Sequence, residues 1–237
     1  GQGAPLTPIF HNALANQINK KFSLGFPLNI LNIGGISNIT STASWENLGR
    51  IDKIHAFDIG PGNCLIDEWI RKNSKKRYDK DGLIASSGTI DKLVINQALE
   101  NFTENSNYKK SLDVKDFDIF FAKGLSLENG AATISSFTAK LIADGMKFSH
   151  GMSLSGMSKW LVCGGGRKNK FLIQSIKNNF EQISIEPIDQ YEIDGDFVES
   201  QAFAYLAIRS LLELPISFPE TTGCKEPTIG GVIVKNF

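Results

Sequence analysis

Asp58 stands two residues ahead of the turn Gly60–Pro61–Gly62–Asn63, which runs straight into a segment of helical spacing within HAFDIGPGNCLIDEWI. At such a strand–turn–helix junction, unpaired backbone N–H groups can hold phosphate oxygens, and glycine lets a ligand approach them closely. A carboxylate beside them can hold hydrated Mg²⁺ against the phosphates, because magnesium keeps most of its waters and takes few protein ligands. The competing reading gives Asp58 a local role, capping the turn that follows. Two further glycine turns, Gly34–Gly35 and Gly164–Gly165–Gly166, also follow β-like segments. One glycine turn says little. Three at strand ends, one of them preceded by a carboxylate, point to a nucleotide-binding face.

Two generic nucleotide motifs fail. No GxxxxGK[ST] occurs, which excludes that class of phosphate loop. GPGNCL and GGGRKN begin like GxGxxG but carry Leu65 and Asn169 at the third glycine position, which disfavours a dinucleotide fold. His11, His55 and His150 have no partners at metal-ligand spacing, so no metal beyond Mg²⁺ is expected, and His11 reads as a polar position on an ordinary helix. Glu199 opens a long apolar helix among Phe197, Phe203 and Tyr205. A carboxylate buried there needs a partner, either a ligand or a hydrogen bond. The alternative is a first-turn carboxylate favoured by the helix dipole.

These residues need a frame, and the chain can build one. Of 237 residues 41% are apolar, enough for a proper core. Lys plus Arg and Asp plus Glu number 25 each, so no chain-wide basic surface marks nucleic acid as a partner. Cys64, Cys163 and Cys224 are widely spaced and read as free thiols in a reducing compartment. No apolar run reaches the ~18 residues of a membrane span. A cytoplasmic protein is expected.

Periodicity predicts a helix over about 8–22, then one long strand or two meeting at Gly34–Gly35, and a strand over KIHAFDI. A helix follows from Asn63 to about Arg71, and the basic run RKNSKKRYDKDG reads as a solvated helix end and loop. Further helices are expected over about 89–102 and in ENGAATISSFTAKLIADGMKF, whose small residues suit a close neighbour. The last third alternates: strand KWLVC, helix RKNKFLIQSIKNNF, strand ISIEPI, and the helix GDFVESQAFAYLAIRSLLEL, apolar almost all round and therefore expected to be buried. Strands first, then strand and helix in alternation, give an α/β sheet flanked by helices.

In order along the chain, NIGGISNIT, AFDIGPGNCLID, YDKDG, NGAATISSFTA, VCGGGRKN, DGDFVESQAFAYLAIRSL and LPISFPETTG resemble the anhydro-N-acetylmuramic acid kinases, a family of the sugar-kinase, heat-shock ATPase and actin superfamily. The resemblance implies a ribonuclease-H-like lobe with a mixed five-stranded sheet flanked by helices, plus a helical insertion. On that reading residues 1–28 carry a linking helix, 29–72 and 155–214 the sheet core, and 73–154 the mainly helical insertion. It implies ATP and Mg²⁺ as cofactors, an anhydro amino sugar as substrate, and a role in cell-wall recycling. Phosphate and adenosine would lie against Gly34, Gly35, Asp58, Gly60, Gly62, Asn63, Gly164, Gly165, Gly166 and Asn169, with Arg167 alongside and Asp58 holding Mg²⁺ through water. Gln2, Pro5 and Glu199 would border the sugar.

The sequence departs from the family pattern in two places. The loop resembling the family's PPKSTGRE stretch is NYKKSLDVKDFD, keeping Lys110 and Ser111. The chain also opens inside the GQGAP loop, so the family's N-terminal lobe and general-base aspartate are expected upstream of Gly1. The 237 residues are therefore expected not to phosphorylate the sugar alone, and a complementing lobe or chain, or a homodimer, is an expected partner. A nucleotide-binding or interaction module without catalysis, and a kinase for another sugar, are the alternatives.

Overall fold

The computed structural model describes residues 3–25, 28–42, 54–103, 112–151 and 159–234. Helix α1 (Pro8–Phe22) leads into strands β1 (Leu28–Ile33), β2 (Ile36–Ser41) and β3 (His55–Pro61). Helices α2 (Cys64–Asn73), α3 (Leu83–Ser86), α4 (Lys92–Thr103) and α5 (Leu127–Gly151) follow. Strand β4 (Lys159–Cys163), α6 (Lys170–Lys177), β5 (Ser184–Pro187), α7 (Val198–Leu211) and α8 (Pro219–Thr222) complete the order. The strands form one sheet, β3-β2-β1-β4-β5. The first three are antiparallel, and β4 and β5 run parallel to β1. This is the mixed five-stranded sheet expected.

Strand β1 is central, so its alternate residues serve two cores. Leu28 and Ile30 pack with Leu14, Ala15 and Ile18 of α1, while Leu31 and Ile33 join Ile59, Leu65, Trp69 and Leu141 on the opposite face. That period of two is what a strand buried on both sides requires. The Gly34–Gly35 pair ends one strand and starts the next, resolving the choice between one long strand and two.

Helix α5 lies close to its neighbours because its small residues allow it. A Cβ on Gly130 would fall 2.1 Å from Trp69, and one on Gly145 2.4 Å from Ile59. The Trp69 indole N–H donates to the Leu127 carbonyl at 2.9 Å, fixing α2 against the start of α5. Helix α4 begins at Lys92, later than expected, because the Asp91 carboxylate caps the Leu93 and Val94 N–H groups at 3.0 and 3.1 Å. In the basic run Arg71, Lys72, Lys75, Lys76 and Arg77 are exposed.

Two expectations are corrected. Helix α7 is not a buried helix: Val198, Ala202 and Leu206 form its one buried stripe, while Phe203, Ile208 and Leu211 are 60%, 57% and 64% exposed. An apolar circumference buries only where a neighbour covers it, and among the described residues α7 meets α1 on one side. His11 is not on an ordinary solvated face either. It is 1% exposed, with its Nδ1 2.8 Å from the Thr40 hydroxyl of β2, and burial lowers its pKa to about 4. His55 is exposed, and the His150 side chain lies outside the described residues, as do the WENLGR and ENSNYKKS stretches.

Candidate nucleotide-binding site

The three glycine turns converge at the same end of the sheet. The Gly62 and Cys64 N–H groups donate to the Gly35 carbonyl at 2.8 and 3.2 Å, and the Asn63 N–H donates to the Gly34 carbonyl at 2.8 Å. The β1–β2 hairpin turn is thus bonded directly to the start of α2. Gly62 has no room for a side chain, since a Cβ would sit 2.3 Å from the Gly34 carbonyl oxygen. The turn after β4 joins them from the other side. Gly164 holds φ +78°, and its Cβ would fall 2.5 Å from Asn32 Oδ1 and 2.6 Å from the Ile33 carbonyl oxygen. Glycine is required there on both counts.

Asn63 lies at the centre. Its Nδ2 donates to the Ile33 carbonyl at 3.4 Å, and Cβ atoms built on Gly165 and Gly166 would come within 3.6 and 3.2 Å of its side-chain amide. Gly35 and Gly165 are exposed and Asn63 half-buried, whereas Gly60, Pro61, Gly62 and Gly166 are buried. The expectation that phosphates rest on the Gly60–Asn63 amides therefore needs correcting. The Gly62 and Asn63 N–H groups already satisfy the hairpin carbonyls, and the open surface belongs to Gly35, Asn63 and Gly165. The Gly60–Gly62 turn supports that surface from behind.

Asp58 approaches the same region from β3. The ladder between β2 and β3 shifts register at Ser37/Asn38, opposite Asp58 and Gly60, as at a bulge, where an extra residue re-aims its neighbours. Asp58 is 9% exposed, and its Oδ2 accepts the Leu112 N–H at 3.0 Å. Burial raises its pKa, opposed by that bond. The capping role for Asp58 is not what the geometry shows, because the bonded group lies 54 residues on. Among the described residues the carboxylate's other oxygen has no protein donor. Val114 of the same segment lies near Gly35, 3.7 Å from where its Cβ would be.

The Asn169 Oδ1 has a partner within the fold: it accepts the Leu172 N–H at 3.0 Å and caps α6. It also lies against Gly82, whose Cβ would be 2.3 Å away. Arg167 binds Asp189 through two N–H···O bonds, at 2.7 and 2.8 Å, and Asp196 at 2.6 Å. Glu199 is exposed in the first turn of α7, so the argument from burying its charge does not hold. Pro5 follows a cis peptide just before α1 and is half-buried. Gln2, Lys110 and Ser111 lie outside the described residues.

Sequence reasoning missed the bond from Leu112 to Asp58 and the Asp79 carboxylate, which is buried and caps the Ile84 and Ala85 N–H groups at 2.8 and 2.9 Å. An aspartate shortly before an apolar helical start, as in YDKDG, is a capping signal that could have found it.

A family model described as anhydro-N-acetylmuramic acid kinase matches residues 1–236. The chain belongs to that family. A member from Pelagibacter ubique is 49% identical over 239 residues, covering 100% of this chain and 62% of the relative. Members from Zymomonas mobilis and Rhizorhabdus wittichii are 38% and 40% identical, each covering 98% of this chain and 60% and 59% of their own lengths. The chain thus spans about three-fifths of the curated kinases it matches. Among solved structures, the activator of 2-hydroxyisocaproyl-CoA dehydratase from Clostridium difficile with bound ADPNP aligns at 14% identity and a TM-score of 0.47, covering 86% of this chain and 67% of its own. That likeness is too slight to carry an argument.

Proposed function

We propose that this chain forms the ATP-binding part of an anhydro-N-acetylmuramic acid kinase. The observation that carries the reading is the convergence of Gly35, Asn63 and Gly165 on one exposed surface, in a chain of that family. The reaction would add water to C1 of the anhydro sugar, break the C1–O6 bond, and move the ATP γ-phosphoryl to O6. The products would be N-acetylmuramic acid 6-phosphate and ADP, in cytoplasmic cell-wall recycling.

Phosphoryl transfer depends mainly on positioning and on stabilising charge. Gly34 and Gly35 would face the phosphates, with Asn63 between them and the Gly164–Gly166 turn, which would lie along the adenosine. Asp58 fits a hydrated Mg²⁺: one oxygen is held by Leu112, the other has no protein donor among the described residues, and a single carboxylate is a usual magnesium complement beside phosphate. The ion would supply charge neutralisation on the phosphate oxygens. Pro5, Gln2 and Glu199 would border the sugar, and the share of the relatives' length that this chain does not match would supply the facing wall and the base for water.

Calorimetric titration with Mg-ATP tests the reading. Wild-type chain should bind, and Asp58→Asn should keep the Leu112 bond while losing most of the Mg²⁺ dependence. Absence of binding by wild type would falsify the nucleotide assignment. Turnover of the anhydro sugar should appear only when the remaining family segment is supplied, and binding of Mg-ATP with no turnover in that mixture would favour a nucleotide-binding module without catalysis.

A further inference from the structure

Arg167 is the first side chain after the Gly164–Gly166 turn, and it is almost entirely enclosed, its side chain being 5% exposed. Its Nε and Nη2 bond Asp189 at 2.7 and 2.8 Å, and its Nη1 bonds Asp196 at 2.6 Å. Asp194 lies 3.7 Å away. The same Nη1 donates to the Gly164 carbonyl at 3.0 Å. The loop it grips bonds back to the turn, since the Gly164 N–H donates to the Gly195 carbonyl at 3.1 Å. Gly195 is tight against the guanidinium, and a Cβ there would fall 2.4 Å from Arg167 Nε. Lys168 pairs with Asp196 on the outer side.

The bond to the Gly195 carbonyl therefore holds the Gly164 N–H, and the guanidinium holds its C=O. A surface ion pair contributes little by itself, and a planar guanidinium held by a bidentate carboxylate is the stronger, geometry-fixing kind. The turn has local bonds of its own, from the Arg167 N–H to the Gly164 carbonyl at 3.3 Å and from the Asn169 N–H to the Gly166 carbonyl at 3.0 Å. Glycine has more backbone freedom to lose than any other residue, so three in succession gain further restraint from the loop outside the turn.

We infer that Arg167, clamped by the Asp189–Asp196 loop, is the positioning residue that presents the Gly164–Gly166 turn to nucleotide, and that it makes no contact with nucleotide itself. The assignment rests on the nucleotide reading above for its purpose, and on the Arg167 geometry for its existence. Among the described residues, every guanidinium bond goes to the loop or to Gly164.

The test uses the whole 237-residue chain, with Arg167→Lys, Arg167→Ala and Gly195→Ala, the last keeping Arg167 but displacing its guanidinium. Amide hydrogen exchange at Gly164 reads the clamp directly, and Mg-ATP titration reads its consequence. Each variant should stay folded by thermal melt, exchange the Gly164 N–H at least tenfold faster, and bind Mg-ATP at least fivefold more weakly. Guanidinium ion at millimolar concentration should restore binding to Arg167→Ala while leaving wild type unchanged. If Gly164 exchange is unaltered in Gly195→Ala and Arg167→Lys, the clamp is refuted whatever the nucleotide result. If exchange quickens while affinity holds, the turn does not need positioning and the inference is overturned. If wild type binds no Mg-ATP, the function proposed above fails, and the purpose given to the clamp fails with it even where exchange quickens.

Discussion

The Gly62 N–H donates to the Gly35 carbonyl at 2.8 Å, which makes the hairpin turn and the start of α2 one hydrogen-bonded unit. A phosphate-facing surface built on Gly35 is therefore only as well placed as Gly62 is. Replacing Gly62 with alanine would put a Cβ 2.3 Å from the Gly34 carbonyl oxygen and 3.0 Å from Ser37 Oγ. Backbone cannot yield as a flexible side-chain end does, so the hairpin must shift. Gly62→Ala should cost about 1–3 kcal/mol of stability, as overpacking does, and weaken Mg-ATP binding tenfold or more. Urea unfolding and titration measure the two losses, and a variant of wild-type affinity would show that the hairpin does not face phosphate.

Gly145 on α5 presents two opposed effects. Alanine would gain about 1 kcal/mol of helix propensity over glycine, but its Cβ would lie 2.4 Å from Ile59 Cγ2 and 2.7 Å from Ile59 Cβ. Ile59 is fully buried, and its β-branched side chain has little freedom to move. Overpacking should win, leaving Gly145→Ala about 1–2 kcal/mol less stable. In an Ile59→Ala background the 2.4 Å contact with Cγ2 is gone while the 2.7 Å contact with Cβ remains, so the same substitution should cost clearly less without becoming stabilising. Denaturant unfolding of the four proteins gives the coupling directly.

Elements with a period were legible in the sequence, and so were the glycine turns at strand ends. What the sequence could not carry was which groups those turns already satisfy. Gly62 and Asn63 look like free phosphate donors until the Gly34 and Gly35 carbonyls, about 28 residues earlier, are folded onto them. Asn169 reads as a ligand contact until its Oδ1 caps α6, and Arg167, expected only alongside the glycine turn, is closed around by Asp189 and Asp196. The carbonyls that pair Gly62 and Asn63 come from long range, whereas the Asn169 cap spans three residues and lies within reach of a local reading. Helix α7 failed for the converse reason: its composition signals burial, but only its neighbours can supply it.

His11 makes stability depend on pH with a definite sign. Unfolded, it takes a proton below about 6.5, whereas the folded, buried ring does so only below about 4. Between those values the unfolded state binds more protons, so stability falls as the pH drops through the window, by up to about 3 kcal/mol. Asp67 acts oppositely. Burial raises its pKa from 3.8 to about 6, so it favours the folded state as pH falls through that range. The difference between wild type and His11→Gln isolates the histidine: the variant should start less stable at pH 7 and lose less on acidification to pH 4. Parallel unfolding curves across that range would show that His11 is protonated in the folded protein.

The outer face of α7 sets an expectation for association. Phe203, Ile208 and Leu211 are more than half exposed on that helix, and Val232, Ile233 and Val234 of the C-terminal segment are 91%, 53% and 60% exposed. Gly231 lies close to Ser210, 3.2 Å from where its Cβ would meet the hydroxyl oxygen, so the segment runs beside the helix and the apolar surfaces adjoin. Adjoining exposed apolar surface of this kind drives association in water. Phe203→Gln with Leu211→Gln keeps good helix formers on an exposed face, and should change stability by less than about 0.5 kcal/mol, as surface substitutions do. It should markedly lower self-association, read as a fall in weight-average mass by sedimentation velocity at tens of micromolar. If the double variant associates as wild type does, the surface that joins the molecules lies elsewhere. If it unfolds, the helix face is buried in solution by a contact the isolated chain does not show.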